Sequence, residues 1–355
     1  MERGKIFLLA ALIAVGAAAR LMAVDMDFKT AVSRPLEVSE ESVEESTDTA
    51  DASEAKETSD VKEAPEEASP VWANNDAKWQ AMTAKLEKEA ARFPGRMGIF
   101  IKDLKTGRSW EYHGTELFPS ASLIKVPVMA SLSAKIKSGE ISWNEKLQIT
   151  RDLKRGGSGR LRRVRNGSKL TLDELVYHMI TESDNTAANM LITRMGYPYL
   201  QDYFKKLGLE RTNISHEGMS LNNYGVKNEN YTTPREMAML VENIYRGQCV
   251  DKDLSGRMIS YMRKTKGHSR FAKRLPKGFQ LAHKTGMLRL SCSDTGIIYS
   301  PQGDYILSVM TWKVPDYKFA ANYISKVAGV TYKYYSGANP MVVRFKPNEA
   351  ANSGG

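Results

Sequence analysis

Apolar positions at helical spacing run from Lys78 to Arg92 and again from Tyr317 to Val330, which predicts an amphipathic helix near each end of the folded body. Just inside the first helix, the runs Gly98 to Leu104 and Ser109 to His113 read as strands. Lys105-Thr106-Gly107 between them reads as a hairpin turn. Three further strand candidates come late, at Phe279 to His283, Thr295 to Tyr299 and Tyr305 to Thr311. Between the two sets, Leu123 through Met262 carries mostly helical periodicity. Two strands at the start and three at the end predict one antiparallel five-stranded sheet split in sequence. The expected class is α/β, more narrowly α+β, with the terminal helices on one face and an inserted all-helical lobe on the other. Clefts form where such lobes meet.

The patterning stops short of both termini. Arg3 and Lys5 precede a 14-residue apolar run from Ile6 to Ala19, which closes on Ala17-Ala18-Ala19. That is the pattern of an export signal, cleaved at a small-residue site. Because Leu21 to Val24 is apolar again after Arg20, a short uncleaved anchor stays open as the alternative. Residues 37–70 carry 13 acidic groups and 2 lysines among Ser, Thr, Ala and Pro, too little apolar surface to offset the entropy of ordering. The expected organisation is a signal or anchor over 1–24, an acidic disordered tether over 25–70, one domain over 71–337, and a tail over 338–355.

Composition sharpens the picture. At 42% hydrophobic the chain can bury a core, and two cysteines in 355 residues exclude a disulfide scaffold or a cysteine zinc knuckle. Cys249 and Cys292 are expected as free buried thiols. The five histidines, His113, His178, His216, His268 and His283, lack metal-ligand spacing, so neither a metal nor a cofactor is expected. The net charge of +10 divides into −9 over residues 1–70 and +19 over the rest. A basic body suits anionic partners. The densest stretch, residues 151–165, holds Arg151, Lys154, Arg155, Arg160, Arg162, Arg163 and Arg165. It could grip an anionic wall polymer or the chain's own acidic segment, and a merely solvated loop is the equal alternative. No aromatic residue interrupts it, which argues against a nucleic-acid platform.

Three short motifs carry the candidate chemistry. Ser122 and Lys125 stand three residues apart, so a helix sets the hydroxyl and the amine on one face, a turn apart. Serine is a poor nucleophile until a base takes its proton, and a lysine with a depressed pKa can be that base. The spacing alone decides nothing, since Ser53 and Lys56, or Ser59 and Lys62, share it inside the acidic segment. Ser183-Asp184-Asn185 reads as a helix cap that also offers a hydroxyl and an amide. His283-Lys284-Thr285-Gly286 ends an apolar run and would put a cation and an uncluttered backbone at a strand end.

In this order, with gaps of 61 and 101 residues, Ser122-x-x-Lys125, Ser183-Asp184-Asn185 and Lys284-Thr285-Gly286 resemble the three motifs of the penicillin-recognising serine hydrolases, and class A β-lactamases in particular. Phe118-Pro119, Thr232-Thr233-Pro234 and Gly296-Ile297-Ile298 agree with that resemblance. It implies a serine β-lactamase acylated at Ser122, with Lys125 in proton transfer and Ser183 protonating the departing nitrogen. Lys284 would attract the substrate carboxylate alongside Thr285 and Gly286, and Asn185 would bind the acylamide side chain. The N–H groups of Ser122 and Met287 would form the oxyanion hole.

Two positions depart from the family pattern. Glu217, 17 residues before Pro234, stands where the deacylating glutamate is expected, yet the family pattern pairs that glutamate with an asparagine one helical turn later, and here the residue four further on is Leu221, with Asn222 and Asn223 beyond it. The carboxylate-binding arginine is missing at Ser293-Asp294-Thr295; Arg270 is the candidate, with Arg274 as its competitor. The resemblance thus leaves open a peptidoglycan-directed D,D-peptidase or slow penicillin-binding hydrolase of the same fold, or a non-catalytic envelope-binding protein. The substrate is expected to be a β-lactam or a peptidoglycan-like molecule, and the protein an exported monomer.

Overall fold

The computed structural model describes residues 71–338, apart from 217, 219–228, 267–268 and 315. The apolar run near the N-terminus, the acidic segment and Glu217 therefore lie outside the described residues. Among the described residues no helix is long and apolar enough to cross a membrane.

Strand β1 (Arg96–Asp103) pairs antiparallel with β2 (Ser109–Tyr112) on one side and β9 (Tyr305–Trp312) on the other. Strands β8 (Ser291–Tyr299) and β7 (Gln280–Leu288) complete a five-stranded sheet in the order β2-β1-β9-β8-β7. The expected split sheet is present. The hairpin turn at Lys105-Thr106-Gly107 is held by the Asp103 carboxylate, which accepts from the N–H groups of Lys105 and Thr106 at 2.9 and 2.8 Å.

Side chains alternate across the sheet and so build two cores. Ile99, Ile101, Leu307 and Val309 pack against α1 (Val71–Ala91) and α8 (Tyr317–Tyr335). Phe100, Ala282, Ile297 and Ile306 face the inserted lobe. Fully burying each such side chain contributes about 1.5–3 kcal/mol.

The lobe comprises α2 (Lys125–Lys137), α3 (Leu172–Thr181), α4 (Asn185–Met195), α5 (Tyr197–Lys206), α6 (Pro234–Tyr245) and α7 (Lys252–Arg263). Helix α2 is buried on every side from Lys125 to Ser133, which explains why its sequence shows little amphipathic contrast. Helices α4, α6 and α7 start at Asp184, Thr233 and Asp251, each accepting from a backbone N–H of the first turn. Such a cap contributes about 1 kcal/mol.

The structure differs from the sequence expectation in two respects. Two short ribbons interrupt the helical stretch: β3 (Phe118–Pro119) with β6 (Tyr231–Thr232), and β4 (Lys146–Gln148) with β5 (Lys169–Thr171). Strands of two or three residues leave no periodicity to read. Strand β7 also continues to Leu288, so Lys284 sits mid-strand, not at a strand end. The extension is polar and Gly-containing because it carries the site, and that hides it from hydropathy.

Candidate active site

Ser122 lies in a 3₁₀ turn, Ala121–Ile124, that runs directly into α2 at Lys125. It therefore precedes the α-helix proper, so the turn that sets Ser122 against Lys125 is 3₁₀ and not α-helical as the sequence spacing suggested. Ala121 adopts φ +46°, a left-handed conformation unusual for a residue with a Cβ. The turn is held from outside: the Ser120 N–H donates to Asn230 O at 2.8 Å, beside the β3–β6 ribbon.

Lys125 is fully buried, and its Nζ lies 3.1 Å from Ser122 Oγ, 3.2 Å from Ser183 Oγ, 2.6 Å from Ser183 O and 2.7 Å from Asn185 Oδ1. Burial holds its pKa well below that of an exposed lysine, and the nearby Lys284 charge lowers it further, against a smaller pull from Asp184. A neutral amine has two N–H bonds and one lone pair. The two shortest contacts are to acceptors that cannot donate, the Ser183 carbonyl and the Asn185 side-chain oxygen. With both N–H bonds so engaged, the lone pair is available to the Ser122 hydroxyl.

Ser183 connects the two arms of the site. Its Oγ accepts from Lys284 Nζ at 3.0 Å, and Lys284 also donates to Thr285 O at 2.9 Å. Lys284 is fully buried, and desolvation brings its pKa down to about 7, with Asp294 opposing and Arg270 assisting. Ser183 itself adopts φ +54°, so both turns presenting serine hydroxyls to the amines contain a left-handed residue other than glycine.

The segment Ser183–Asn185 is fixed by the basic loop. Asp184 is fully buried, caps α4 through Ala187 N at 3.0 Å, and accepts from Leu161 N at 2.8 Å. Asn185 donates through Nδ2 to Gly156 O at 2.8 Å, and its N–H donates to Ser158 O at 3.1 Å. Gly159, at φ +95°, lies so close that a Cβ there would sit 2.1 Å from Asp184 Oδ2. Residues 151–165 are thus the bed of Asn185, while Arg151, Arg155, Arg160, Arg162, Arg163 and Arg165 are exposed, Arg155 donating to the carbonyls of Asp152 and Lys154 and Arg160 pairing with Glu182 at 3.2 Å. Sequence reasoning read a helix cap at Ser183-Asp184-Asn185 but missed the hold of Asp184 on Leu161 and the role of Gly159; the glycines clustered within the basic run were the available signal.

Strand β7 is the outer strand of the sheet, and Gly286 faces the nucleophile turn. A Cβ at Gly286 would stand 2.9 Å from Ser120 O and 3.2 Å from Ala121 Cβ. Only glycine permits this approach. Met287 follows, half exposed. Arg270 and Met287 share the lining of a cleft of about 730 Å³ with Lys273 and Tyr317. Arg274 lies exposed on a 3₁₀ turn, and the geometry separates it from Arg270, whose charge reaches Lys284.

The structure thus brings together Ser122, Lys125, Ser183, Asn185 and Lys284, with Thr285, Gly286 and Met287 along the same strand and Arg270 at its border. Glu217 lies outside the described residues. Its described flanks are pinned together: Tyr231 N donates to Asn213 Oδ1 at 2.7 Å, and Ser215 N donates to Asn230 Oδ1 at 2.8 Å. Among the described residues no group of His, Cys, Asp and Glu could hold a metal ion. Cys249 and Cys292 are free and buried; burial pushes the Cys249 thiol up to about 12 and raises Cys292 as well.

Residues 81–335 match the model of the β-lactamase enzyme family. The β-lactamase VEB-1 of Pseudomonas aeruginosa is 25% identical over 74% of this chain and 92% of its own length. Among solved structures, a variant of PBP-A, an acyl-enzyme complex with penicillin G, superposes with TM-score 0.67 at 28% identity, over 72% of this chain and 96% of that one. A β-lactamase from Sphaerobacter thermophilus superposes with TM-score 0.64 at 27% identity, over 74% and 97%.

Proposed function

This chain belongs to the β-lactamase enzyme family, and from that premise we propose that it is a serine β-lactamase of the class A type, acylated at Ser122. The observation that carries the reading is the position of Lys125 Nζ, within 3.2 Å of the hydroxyls of both Ser122 and Ser183.

The steps follow from that geometry. The Ser122 oxygen attacks the lactam carbonyl carbon while its proton passes to the neutral Lys125 amine. The N–H groups of Ser122 and Met287 receive the developing oxyanion. As the carbon–nitrogen bond breaks, the nitrogen takes the Ser183 proton, which Lys284 and Lys125 help to replace. Lys284, with Thr285 and Arg270, attracts the substrate carboxylate, and Asn185 orients the acylamide group. Glu217 then activates the water that hydrolyses the ester on Ser122. Its support is its distance from Pro234 together with the pinned flanks described above. No cofactor enters any step.

A slower, peptidoglycan-directed hydrolase is the second reading. Leu221 favours it, because an apolar residue replaces the amide expected to help hold the hydrolytic water. The exposed arginines of 151–165 suit an anionic wall polymer in either case. The apolar run at Ile6–Ala19 supports export, by a cleaved signal or a retained anchor, of a domain covering 71–337 that acts as a monomer.

Mixing the purified protein with a chromogenic cephalosporin, while following colour and intact mass, tests these readings. Sustained turnover supports the lactamase. A stoichiometric burst with an adduct on Ser122 supports the slow hydrolase, and neither colour nor adduct removes both. Glu217→Gln is expected to trap the acyl-enzyme; unchanged deacylation would remove Glu217 from the scheme.

A further inference from the structure

Asp294 is fully buried on β8, on the face of the sheet opposite Lys284, and each of its oxygens has a separate task. Oδ1 lies 2.8 Å from Nδ1 of His283, which is itself buried. Oδ2 accepts from Arg270 N at 2.8 Å, from Ser269 Oγ at 3.2 Å and, more weakly, from Phe271 N at 3.4 Å. One carboxylate therefore ties the 269–271 turn to β7 and β8 at the level of Lys284 and Thr285. The Arg270 side chain leaves that turn over β8, where its Nε reaches Cys292 Sγ at 3.5 Å. His283 is secured in turn, since its carbonyl accepts from Thr265 Oγ1 at 2.9 Å.

An arginine on a loop binds a carboxylate well only if its backbone is held, because otherwise the side chain's freedom is lost on binding. A buried carboxylate accepting backbone N–H groups is among the stronger ways to hold one. We infer that Asp294 is the positioning residue for substrate-carboxylate recognition: braced by His283, it fixes the turn from which Arg270 reaches the substrate. The inference rests on the reading of Arg270 as the carboxylate-binding residue. It explains how this chain, with Ser293-Asp294-Thr295 where an arginine is often found, recovers the contact by using the same strand to hold the arginine of a neighbouring turn.

The test compares kcat/KM for a cephalosporin bearing its free carboxylate with that for its methyl ester, at a pH below the Lys284 titration. The acid-to-ester ratio reads the arginine contact. Asp294→Ala is expected to lower the ratio on the order of tenfold, as far as Arg270→Ala does, and the double variant should fall no further. Asp294→Asn removes the same negative charge but keeps an oxygen for the turn and an amide for His283, so its ratio should stay within about threefold of the parent. Should Asp294→Ala fail to fold by thermal unfolding, Asp294→Ser, too short to span both partners, replaces it.

An unchanged ratio in Asp294→Ala, additive losses in the double variant, or an asparagine variant as poor as alanine would overturn the inference. If Arg270→Ala loses discrimination while Asp294→Ala does not, the inference fails alone. If Arg270→Ala keeps its discrimination, the arginine reading fails and the inference with it.

Discussion

Lys125 and Lys284 meet at one hydroxyl: the Nζ of the first lies 3.2 Å from Ser183 Oγ and that of the second 3.0 Å. Two amines this close, both fully buried, cannot both carry charge without large cost. Burial and then the Lys284 charge lower the proton affinity of Lys125, so the two titrations are coupled. In the proposed mechanism Lys125 is therefore the amine that takes up a proton, and Lys284 is the one that carries charge below about pH 7.

The pH profile should show this division. Lys284 is cationic below about 7 and neutral above it. For lactams bearing a carboxylate, kcat/KM is expected to fall as pH rises through about 7. Lys284→Arg, whose charge persists at all working pH values, should move that limb upward by more than one pH unit. A limb that stays put in the variant assigns it to another group.

Stability should also respond, in the less familiar direction. Between about pH 7 and 10.5 the unfolded chain binds a proton at Lys284 that the folded protein lacks. Unfolding free energy therefore increases with pH across this window, and the gain is lost as pH falls through the folded value. Lys284→Met should remove roughly 2 kcal/mol of the increase between pH 7.5 and 9.5. Urea midpoints of both proteins at the two pH values provide the measurement, and parallel curves would contradict it.

Ser183 provides a test that separates strain from chemistry. Both Ser183→Ala and Ser183→Gly lose the hydroxyl, and each should reduce acylation about a hundredfold. At φ +54°, however, glycine is relaxed and alanine is not. The glycine variant should be the more stable by about 1 kcal/mol, the reverse of their usual order. Equal melting temperatures would show that the turn relaxes.

Gly286→Ala would drive a methyl group to 2.9 Å from Ser120 O. The nucleophile turn or the strand must yield, at about 1–3 kcal/mol. Displacing Ser122 even slightly from Lys125 should cost about 10²-fold in acylation. Stopped-flow acylation together with thermal unfolding reads both effects, and an unaffected acylation rate would show that the turn is not held by this contact.

The legible parts of this molecule were those with either period or motif. The sequence-split antiparallel sheet, the helices at both ends and the hydroxyl–amine pair at Ser122 and Lys125 were all readable, since alternation and helical spacing act over short range; the order of the strands was not. What remained hidden depended on contacts distant in sequence. A cap at Ser183-Asp184-Asn185 is locally legible, but nothing local shows that Asp184 also holds Leu161, 23 residues away. The strand reading ends at His283 because Lys284 to Gly286 are polar or small and lack a hydropathy signal; Lys284 meets Ser183 and Gly286 meets Ser120, both far away in sequence. Arg270 is separated from Arg274 by its charge reaching Lys284 and by Asp294, a buried acid in a strand, bonding its turn, and neither relation is local in sequence.

The splitting of the sheet has a consequence for when the protein becomes reactive. Ser122, Lys125 and Ser183 leave the ribosome long before Lys284, and β1 must wait for β9 to gain its inner neighbour. A partly made chain therefore carries its nucleophile without the cation that completes the cleft. Reactivity arrives late in synthesis, as a property of the finished molecule, and a chain truncated ahead of β7 should be chemically mute however well its helices form.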